Sequence, residues 1–352
     1  MRSYLQRVFL LATLAVLPAC GGGGGGGGSS VATGTPAAAP PGGAPVTGSS
    51  LQETVQEAVN RGVYGVNLTV LHDDGQIDTH VAGRRNRDSG EAMTPRSVFK
   101  MASVSKLYVA VAAIQLVEQG LLRLDDTIVL HLPDLSDRIE NADVITLRQL
   151  LQHRSGVPDF DSQVGFSWRT SHTDNARVLS YALDLPADFP PGSRYQYSNT
   201  NYLLAAMMLD AALGYSHRVQ IQDHILSPLG LTDTFHLLNE AAAAELVSGY
   251  WDRVDTTTRD YVVPGGSMLA TGEDIARFLS ALATGALFTP AAQQTYRSVY
   301  WYEHSGWLPG YQTIARYESA LRATVVLHIN NTGGLSEEIL AETYDEVVAR
   351  LR

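Results

Sequence analysis

The amino-acid sequence predicts a mixed α/β domain of the α+β type, in which both chain ends build one antiparallel sheet and a mostly helical lobe is inserted between them. Two strand-like segments joined by a hairpin signal lie near the start, and two more lie near the end. Helical patterns dominate between them, at roughly 124–261. A chain of 352 residues is long enough for one such domain with a sizeable core.

The first elements follow from hydrophobic periodicity. An amphipathic helix begins at Leu51 and leads into residues 64–71, where Val66, Leu68 and Val70 alternate with polar side chains. The residues Asp73-Asp74-Gly75 form a strong hairpin-turn signal, and a return strand is predicted at 77–82.

The later elements are predicted in the same way. Residues 107–117 are apolar nearly all round, which is typical of a buried helix, and Gly120 is placed to end it. Helical patterns follow at 146–153 and 202–213, separated by Pro-Gly loops. Strands at 312–317 and 323–329 and a helix from about Ser336 close the chain.

Residues 1–20 have the pattern of an export signal, with Arg2 and Arg7 before an apolar run at 8–17 that is too short to span a bilayer. Their end, Leu17-Pro18-Ala19-Cys20, resembles the lipobox of bacterial lipoproteins, although ordinary cleavage stays open. Lipidation at Cys20 predicts an exported, membrane-anchored protein that faces the periplasm or the cell exterior. Residues 21–50 predict a flexible Gly/Ala/Pro-rich tether, so the folded domain is expected at 51–352.

Charge and spacing exclude some classes of function. The formal net charge is −11 and no long basic stretch occurs, which argues against nucleic-acid binding. No metal-ligand spacing is present, so neither a metal nor a cofactor is expected.

A candidate nucleophile lies in Ser103-Val104-Ser105-Lys106, at the head of the first apolar helix. Lys100 and Lys106 are the only lysines in the sequence. A desolvated lysine can become a neutral base, whereas an arginine cannot, and residues three apart share a helix face. A helix start also offers backbone N–H groups to an oxyanion. A chance Ser-x-x-Lys pattern is the alternative.

Two further segments carry candidate residues. In Tyr197-Ser198-Asn199 a phenol whose pKa is lowered by a nearby lysine can relay a proton, and an asparagine can bind a substrate amide while holding the lysine. In His304-Ser305-Gly306-Trp307 the glycine permits close approach of a substrate backbone, the histidine can place the substrate, and the Trp307 N–H can complete an oxyanion hole with that of Ser103. Taken singly, the first segment is also explained by a capping asparagine with a packed tyrosine, and the second by a surface or hydrogen-bonded histidine.

The ordered set of three segments resembles the penicillin-recognising serine hydrolases, that is, class C β-lactamases, serine D-alanyl-D-alanine carboxypeptidases and related esterases. The segments at 145–158, 228–235 and 265–271 are also similar to that family, and the resemblance covers most of 51–352. It implies a β-lactamase/transpeptidase-like fold, with Ser103, Lys106 and Tyr197 catalytic, Asn199, His304, Ser305 and Gly306 in substrate binding, and an acyl-enzyme intermediate.

The third motif begins with His304, which looks like the carboxypeptidases more than the class C β-lactamases and implies hydrolysis of cell-wall peptides. Three departures favour an esterase instead. Only Arg297 is near enough in sequence to clamp a substrate carboxylate, Trp307 is bulky, and Glu303 could raise the pKa of His304 or repel a carboxylate. A non-catalytic module that binds penicillin or cell-wall fragments is the rival from another class. The expected partners are a small-molecule or peptide substrate and, through the lipid, a membrane.

Overall fold

The computed structural model describes residues 50–241 and 244–352. The proposed export signal, Cys20 and residues 21–49 of the proposed tether lie outside the described residues. Ser50 is described, and its side chain caps the first helix by accepting a hydrogen bond from the Glu53 N–H at 3.3 Å.

The elements follow one another along the chain with strands at both ends and helices between. The strands are β1 (Gly65–His72), β2 (Ile77–Gly83), β3 (Phe99–Lys100), β4 (Thr234–Phe235), β5 (Tyr250–Trp251), β6 (Val254–Asp255), β7 (Leu269–Ala270), β8 (Glu303–Leu308), β9 (Tyr311–Glu318), β10 (Ala323–Ile329) and β11 (Asn331–Thr332). The helices are α1 (Leu51–Asn60), α2 (Ser105–Glu118), α3 (Ile128–His131), α4 (Leu147–Leu151), α5 (Asn175–Ser180), α6 (Asn199–Leu213), α7 (His217–Ile221), α8 (Ser227–Leu229), α9 (Gly272–Thr284), α10 (Pro290–Val299) and α11 (Ser336–Leu351).

The main sheet confirms the prediction that both chain ends build one antiparallel sheet. Its strand order is β2-β1-β10-β9-β8, and every neighbouring pair is antiparallel. Leu68 on β1 lies opposite Leu327 on β10 in the centre of the sheet. The third motif forms β8, the edge strand of this sheet.

Both faces of the sheet are covered. Val66, Leu68 and Val70 pack with residues of α1 and α11. The alternating polar residues Asn67 and Thr69 are fully buried as well, because α9 lies on the other face. At Gly272 of α9 an added Cβ would lie 2.6 Å from Thr69 Oγ1, so the helix can approach β1 this closely only with a glycine.

The inserted lobe packs on the buried helix α2, as its apolar sequence predicts. The buried side chains of α2, α6 and α9 share one core with those of α4. The end of the lobe is less helical than predicted. The short strands β4, β5 and β6 lie there and belong to two small sheets. Within the described ranges, no helix combines the length and apolarity needed to cross a bilayer.

Candidate active site

Ser103 lies in a 3-10 turn, Ala102–Val104, directly before α2. The Ser105 hydroxyl fixes this turn, because it donates to the Ala102 carbonyl at 2.6 Å and accepts from the Met268 N–H at 3.2 Å. Ala102 has a left-handed φ of 52°, which disfavours residues with a Cβ. The backbone is therefore held in an unfavourable conformation immediately before the half-buried Ser103.

Lys106 is 1% exposed, and its amine makes three contacts. Nζ lies 3.1 Å from Ser103 Oγ, 2.9 Å from Asn199 Oδ1 and 3.1 Å from the Gly265 carbonyl oxygen. A neutral amine has two hydrogens and one lone pair. If Asn199 and Gly265 accept the two hydrogens, the lone pair faces the hydroxyl of Ser103, which is the arrangement that a general base needs.

Burial lowers the pKa of Lys106 to about 7, although the carboxylates of Asp159 and Asp161 act in the opposite direction. The charged ammonium loses its hydration inside the protein and is therefore disfavoured. The amine is thus available as a base near neutral pH.

Tyr197 donates its phenol proton to Ser103 Oγ at 2.9 Å. The expected lowering of its pKa is wrong. Burial, followed by the neighbouring Tyr300, raises the pKa of Tyr197 well above its ordinary value, because the phenolate would be desolvated. Tyr197 therefore remains a phenol and can act as a proton donor.

His153, which sequence reasoning did not single out, supports the Tyr197 segment. Its fully buried ring lies 4.3 Å from the Tyr197 ring, and its Nδ1 accepts the Ser198 N–H at 3.2 Å. Burial, with Lys106 and His304 nearby, lowers the pKa of His153 well below its ordinary value. The neutral ring fixes the loop that presents the phenol. The His-Arg-Ser-Gly sequence at 153–156 was the available signal.

Asp159 and Asp161 are further site residues that sequence reasoning missed. Asn199 Nδ2 donates to Asp159 Oδ2 at 3.3 Å and to Asp161 Oδ2 at 3.2 Å. Burial raises the pKa of both carboxyl groups, and for Asp159 the charge of Asp161 adds to the rise. The only signal in the sequence for these two site residues was the presence of two acids close together in the mostly apolar run at 157–161.

β8 passes over the Ser103 turn. At Gly306 an added Cβ would lie 2.3 Å from the Met101 carbonyl oxygen. The glycine is required for this contact between strand and turn, and its part in the approach of a substrate backbone stays a prediction.

The edge position of β8 orients the Trp307 N–H. The Tyr317 N–H donates to the Tyr302 carbonyl at 3.1 Å, so the backbone groups of Tyr302 face β9. By the same register, the backbone groups of every second residue after it on β8 also face β9. In an antiparallel pair the backbone groups of alternate residues point away from the partner strand. The Trp307 N–H therefore points off the open edge beside the Ser103 turn, as an oxyanion hole requires.

The Trp307 side chain lies on the face of β8 opposite Gly306, where its Nε1 donates to Glu337 Oε1 at 3.2 Å. Its bulk therefore does not fill the space over Ser103. Ser305 shares this face by strand alternation and is half-buried. It does not project toward the turn.

His304 is buried on the inner face of β8, and its Nδ1 contacts the Ser305 carbonyl. The expectation that Glu303 raises its pKa is wrong. Burial, and then the charge of Lys106, lowers the pKa of His304 to about 3. Glu303 lies on the other face of the strand, 3.5 Å from Arg316. His304 is therefore a neutral ring beside Tyr197.

Aromatic rings continue from Tyr197 to the surface. The His304 ring lies 6.2 Å from Tyr197 and stacks on Tyr300 at 6.0 Å, and Tyr300 in turn contacts Trp301 at 5.5 Å. Trp301 is 56% exposed and meets Tyr195, which is 39% exposed, at 6.4 Å. We call Tyr195, Tyr300 and Trp301 the aromatic rim. It gives the phenol side of the site an apolar border.

Within residues 50–241 and 244–352, no group of three or more His, Cys, Asp and Glu side chains is arranged to hold a metal ion.

Comparison with known proteins agrees with this geometry. The sequence model of the Beta-lactamase family matches residues 51–350. Penicillin-binding protein 4 of Amycolatopsis lactamdurans is 30% identical over 228 residues, which is 61% of this chain and 58% of that protein. A putative D-alanyl-D-alanine carboxypeptidase of Escherichia coli K12 is 24% identical over 53% of this chain and 46% of its own length. The chain thus spans about half the length of the curated relatives it matches.

A solved structure of D-amino acid amidase from Ochrobactrum anthropi SV3 superposes with a TM-score of 0.73 at 25% identity, covering 86% of this chain and 99% of that one. The β-lactamase/transpeptidase-like fold predicted from the sequence is therefore confirmed.

The neutral amine of Lys106 should make the reactivity of Ser103 depend on pH. We expect the rate constant for labelling of Ser103 by a fluorophosphonate to rise roughly tenfold per pH unit below pH 7 and to level off above it, because only the neutral amine accepts the serine proton. Lys106→Arg keeps the charge but cannot lose its proton, so labelling should become slow at all these pH values. Wild-type labelling kinetics in Lys106→Arg would rule out Lys106 as the base.

Proposed function

The chain belongs to the Beta-lactamase family, and from this membership we propose that it is a serine hydrolase that works through an acyl-enzyme on Ser103. One observation carries the proposal. The Ser103 Oγ lies 3.1 Å from a buried amine and 2.9 Å from a phenol. These are the base and the proton donor that acyl transfer requires.

The proposed reaction has two halves. Ser103 gives its proton to Lys106 as Oγ bonds to the carbonyl carbon, and the N–H groups of Ser103 and Trp307 bind the oxyanion. The bond to the leaving group then breaks as Tyr197 gives its proton to the leaving atom. The Lys106 ammonium returns a proton to Tyr197. In the second half, water takes the place of the leaving group and the same steps run in reverse. This hydrolyses the acyl-enzyme, which releases the acid and restores Ser103.

Two substrate classes are candidates. The names of the relatives support D-alanyl-D-alanine carboxypeptidase-like hydrolysis of cell-wall peptides. The geometry favours small acyl esters, because Tyr197 serves the leaving group and the border on its side is the aromatic rim. An apolar alcohol fits such a border better than a carboxylate does. We therefore place ester hydrolysis first and peptide hydrolysis second.

Arg297, the expected carboxylate clamp, is exposed, and its Nε donates to the Tyr302 hydroxyl at 2.7 Å. A non-catalytic module that binds penicillin or cell-wall fragments is disfavoured, because a binder does not need an amine positioned to deprotonate Ser103.

Incubation with a p-nitrophenyl ester should give a burst of p-nitrophenol equal to the enzyme concentration and an acyl group on the peptide that carries Ser103. Ser103→Ala should remove the burst and lower turnover by about 10³-fold or more. Ser298→Ala, at an exposed serine, is the matched control and should behave as wild type. Mass spectrometry of the quenched protein checks both, and an adduct on another residue would contradict the proposal.

Arg297→Met separates the two substrate classes. On the ester proposal, kcat/KM for the ester should change less than about twofold, because an uncharged leaving group does not need the guanidinium. Arg277→Met, which removes an exposed arginine paired with Glu273 on α9, is the control. If the wild type cleaves an acyl-D-Ala-D-Ala peptide and Arg297→Met alone loses that activity tenfold or more, peptide hydrolysis takes first place.

We also propose export and lipid anchoring, which the sequence pattern at 1–20 supports. Full-length protein with Cys20 should partition into the detergent phase of Triton X-114, since acyl chains anchor it, whereas Cys20→Ala should move to the aqueous phase. Equal partitioning of the two proteins would contradict lipidation and leave ordinary cleavage.

A further inference from the structure

Both side-chain N–H hydrogens of Asn199 are taken by protein groups. Its Oδ1 accepts from Lys106 Nζ at 2.9 Å, and its Nδ2 donates to Asp159 Oδ2 at 3.3 Å and Asp161 Oδ2 at 3.2 Å. An asparagine side chain has two N–H hydrogens. Since each aspartate takes one, neither hydrogen is left for a substrate.

The chemistry of the partners fixes this orientation. An amine donates to the carbonyl oxygen of the amide, and carboxylates only accept. Turning the amide over would place its hydrogens against Lys106 Nζ and would break the hydrogen bond from Lys106 to Oδ1.

The loop that carries the aspartates is tied to the start of α6. The Asn199 N–H donates to Asp159 Oδ1 at 2.9 Å. The Thr200 hydroxyl donates to the Pro158 carbonyl at 2.8 Å and accepts the Phe160 N–H at 2.9 Å. These bonds account for Asp159 as a helix cap. They do not account for Asp161, whose Oδ2 contacts the Asn199 side chain.

We propose that Asp159 and Asp161 are positioning residues that hold Asn199 against Lys106, and that the site therefore accepts acyl groups that carry no amide. This inference rests on the proposed serine hydrolase and deepens it on the acyl side. The substrate class is esters with a plain carbon chain as the acyl group, which need no hydrogen bond from Asn199 Nδ2.

The same contacts affect the base. The groups that face Lys106 are the carboxyl groups of Asp159 and Asp161, the phenols of Tyr197 and Tyr202, and the neutral rings of His153 and His304. A carboxylate favours the ammonium, so removing the charge of Asp161 should lower the pKa of Lys106. Asp161→Asn keeps the shape, and a purely structural aspartate would not change this pKa.

The first experiment measures kcat/KM from pH 5 to 9 for wild type and Asp161→Asn with p-nitrophenyl butyrate. The midpoint of the acid limb should move down by roughly 0.5–1 pH unit in the variant. Asp260→Asn is the matched control, because Asp260 acts on the charge of Lys100. An unchanged midpoint in Asp161→Asn, or an equal shift in Asp260→Asn, would overturn the positioning role. Thermal melting of each variant identifies loss of folding.

The second experiment compares the p-nitrophenyl esters of butyric acid and of N-acetylglycine, each corrected for its rate with hydroxide. Wild type should use both within about threefold, and Asp161→Ala, which frees one Asn199 hydrogen, should shift the ratio toward the N-acetylglycyl ester. A wild-type preference of tenfold or more for the N-acetylglycyl ester would overturn the inference. If Ser103→Ala retains turnover, the proposed function fails instead, so the two failures are distinguishable.

Discussion

The structure depends on the burial of one amine. Lys106 reaches Ser103, Asn199 and the Gly265 carbonyl at once, and each contact comes from a different part of the chain. A lysine in water would be charged and could not accept a proton. The helices that share the core of α2 remove that water, and the fold thereby converts a side chain that is ordinarily charged into a base.

Close backbone packing makes the burial possible. A Cβ at Gly265 would lie 2.9 Å from Lys106 Cγ, and one at Gly306 would lie 2.3 Å from the Met101 carbonyl oxygen. Gly265, in the segment before β7, brings main chain against the Lys106 side chain, and Gly306 of β8 brings main chain against the turn that carries Ser103. Main chain from these two segments therefore closes around Lys106 and the Ser103 turn, and both contacts require glycine.

Sequence periodicity predicts the long helices and strands. Each of them buries one face or its whole surface, and this leaves a repeating or continuous apolar pattern in the sequence. The strand predicted at 323–329 has the bounds of β10, and the buried helix predicted at 107–117 lies within α2. The short strands β4 to β7 have two residues each, too few to show a period. Ser103, Lys106 and Tyr197 do come together, whereas Asp159 and Asp161 were missed, since nothing in their local sequence shows that they lie beside Asn199.

The two wrong pKa predictions have one physical cause. For Tyr197 and His304 the sequence suggested a charged neighbour as the dominant influence on the pKa, yet in both cases burial is the largest cause of the shift. Residue spacing shows which charges are near in the chain but not how much water remains around a group. At Lys106 the two effects oppose each other, because burial favours the neutral amine while Asp159 and Asp161 favour the ammonium. The aspartates therefore keep a buried base close enough to neutrality to both accept and return a proton.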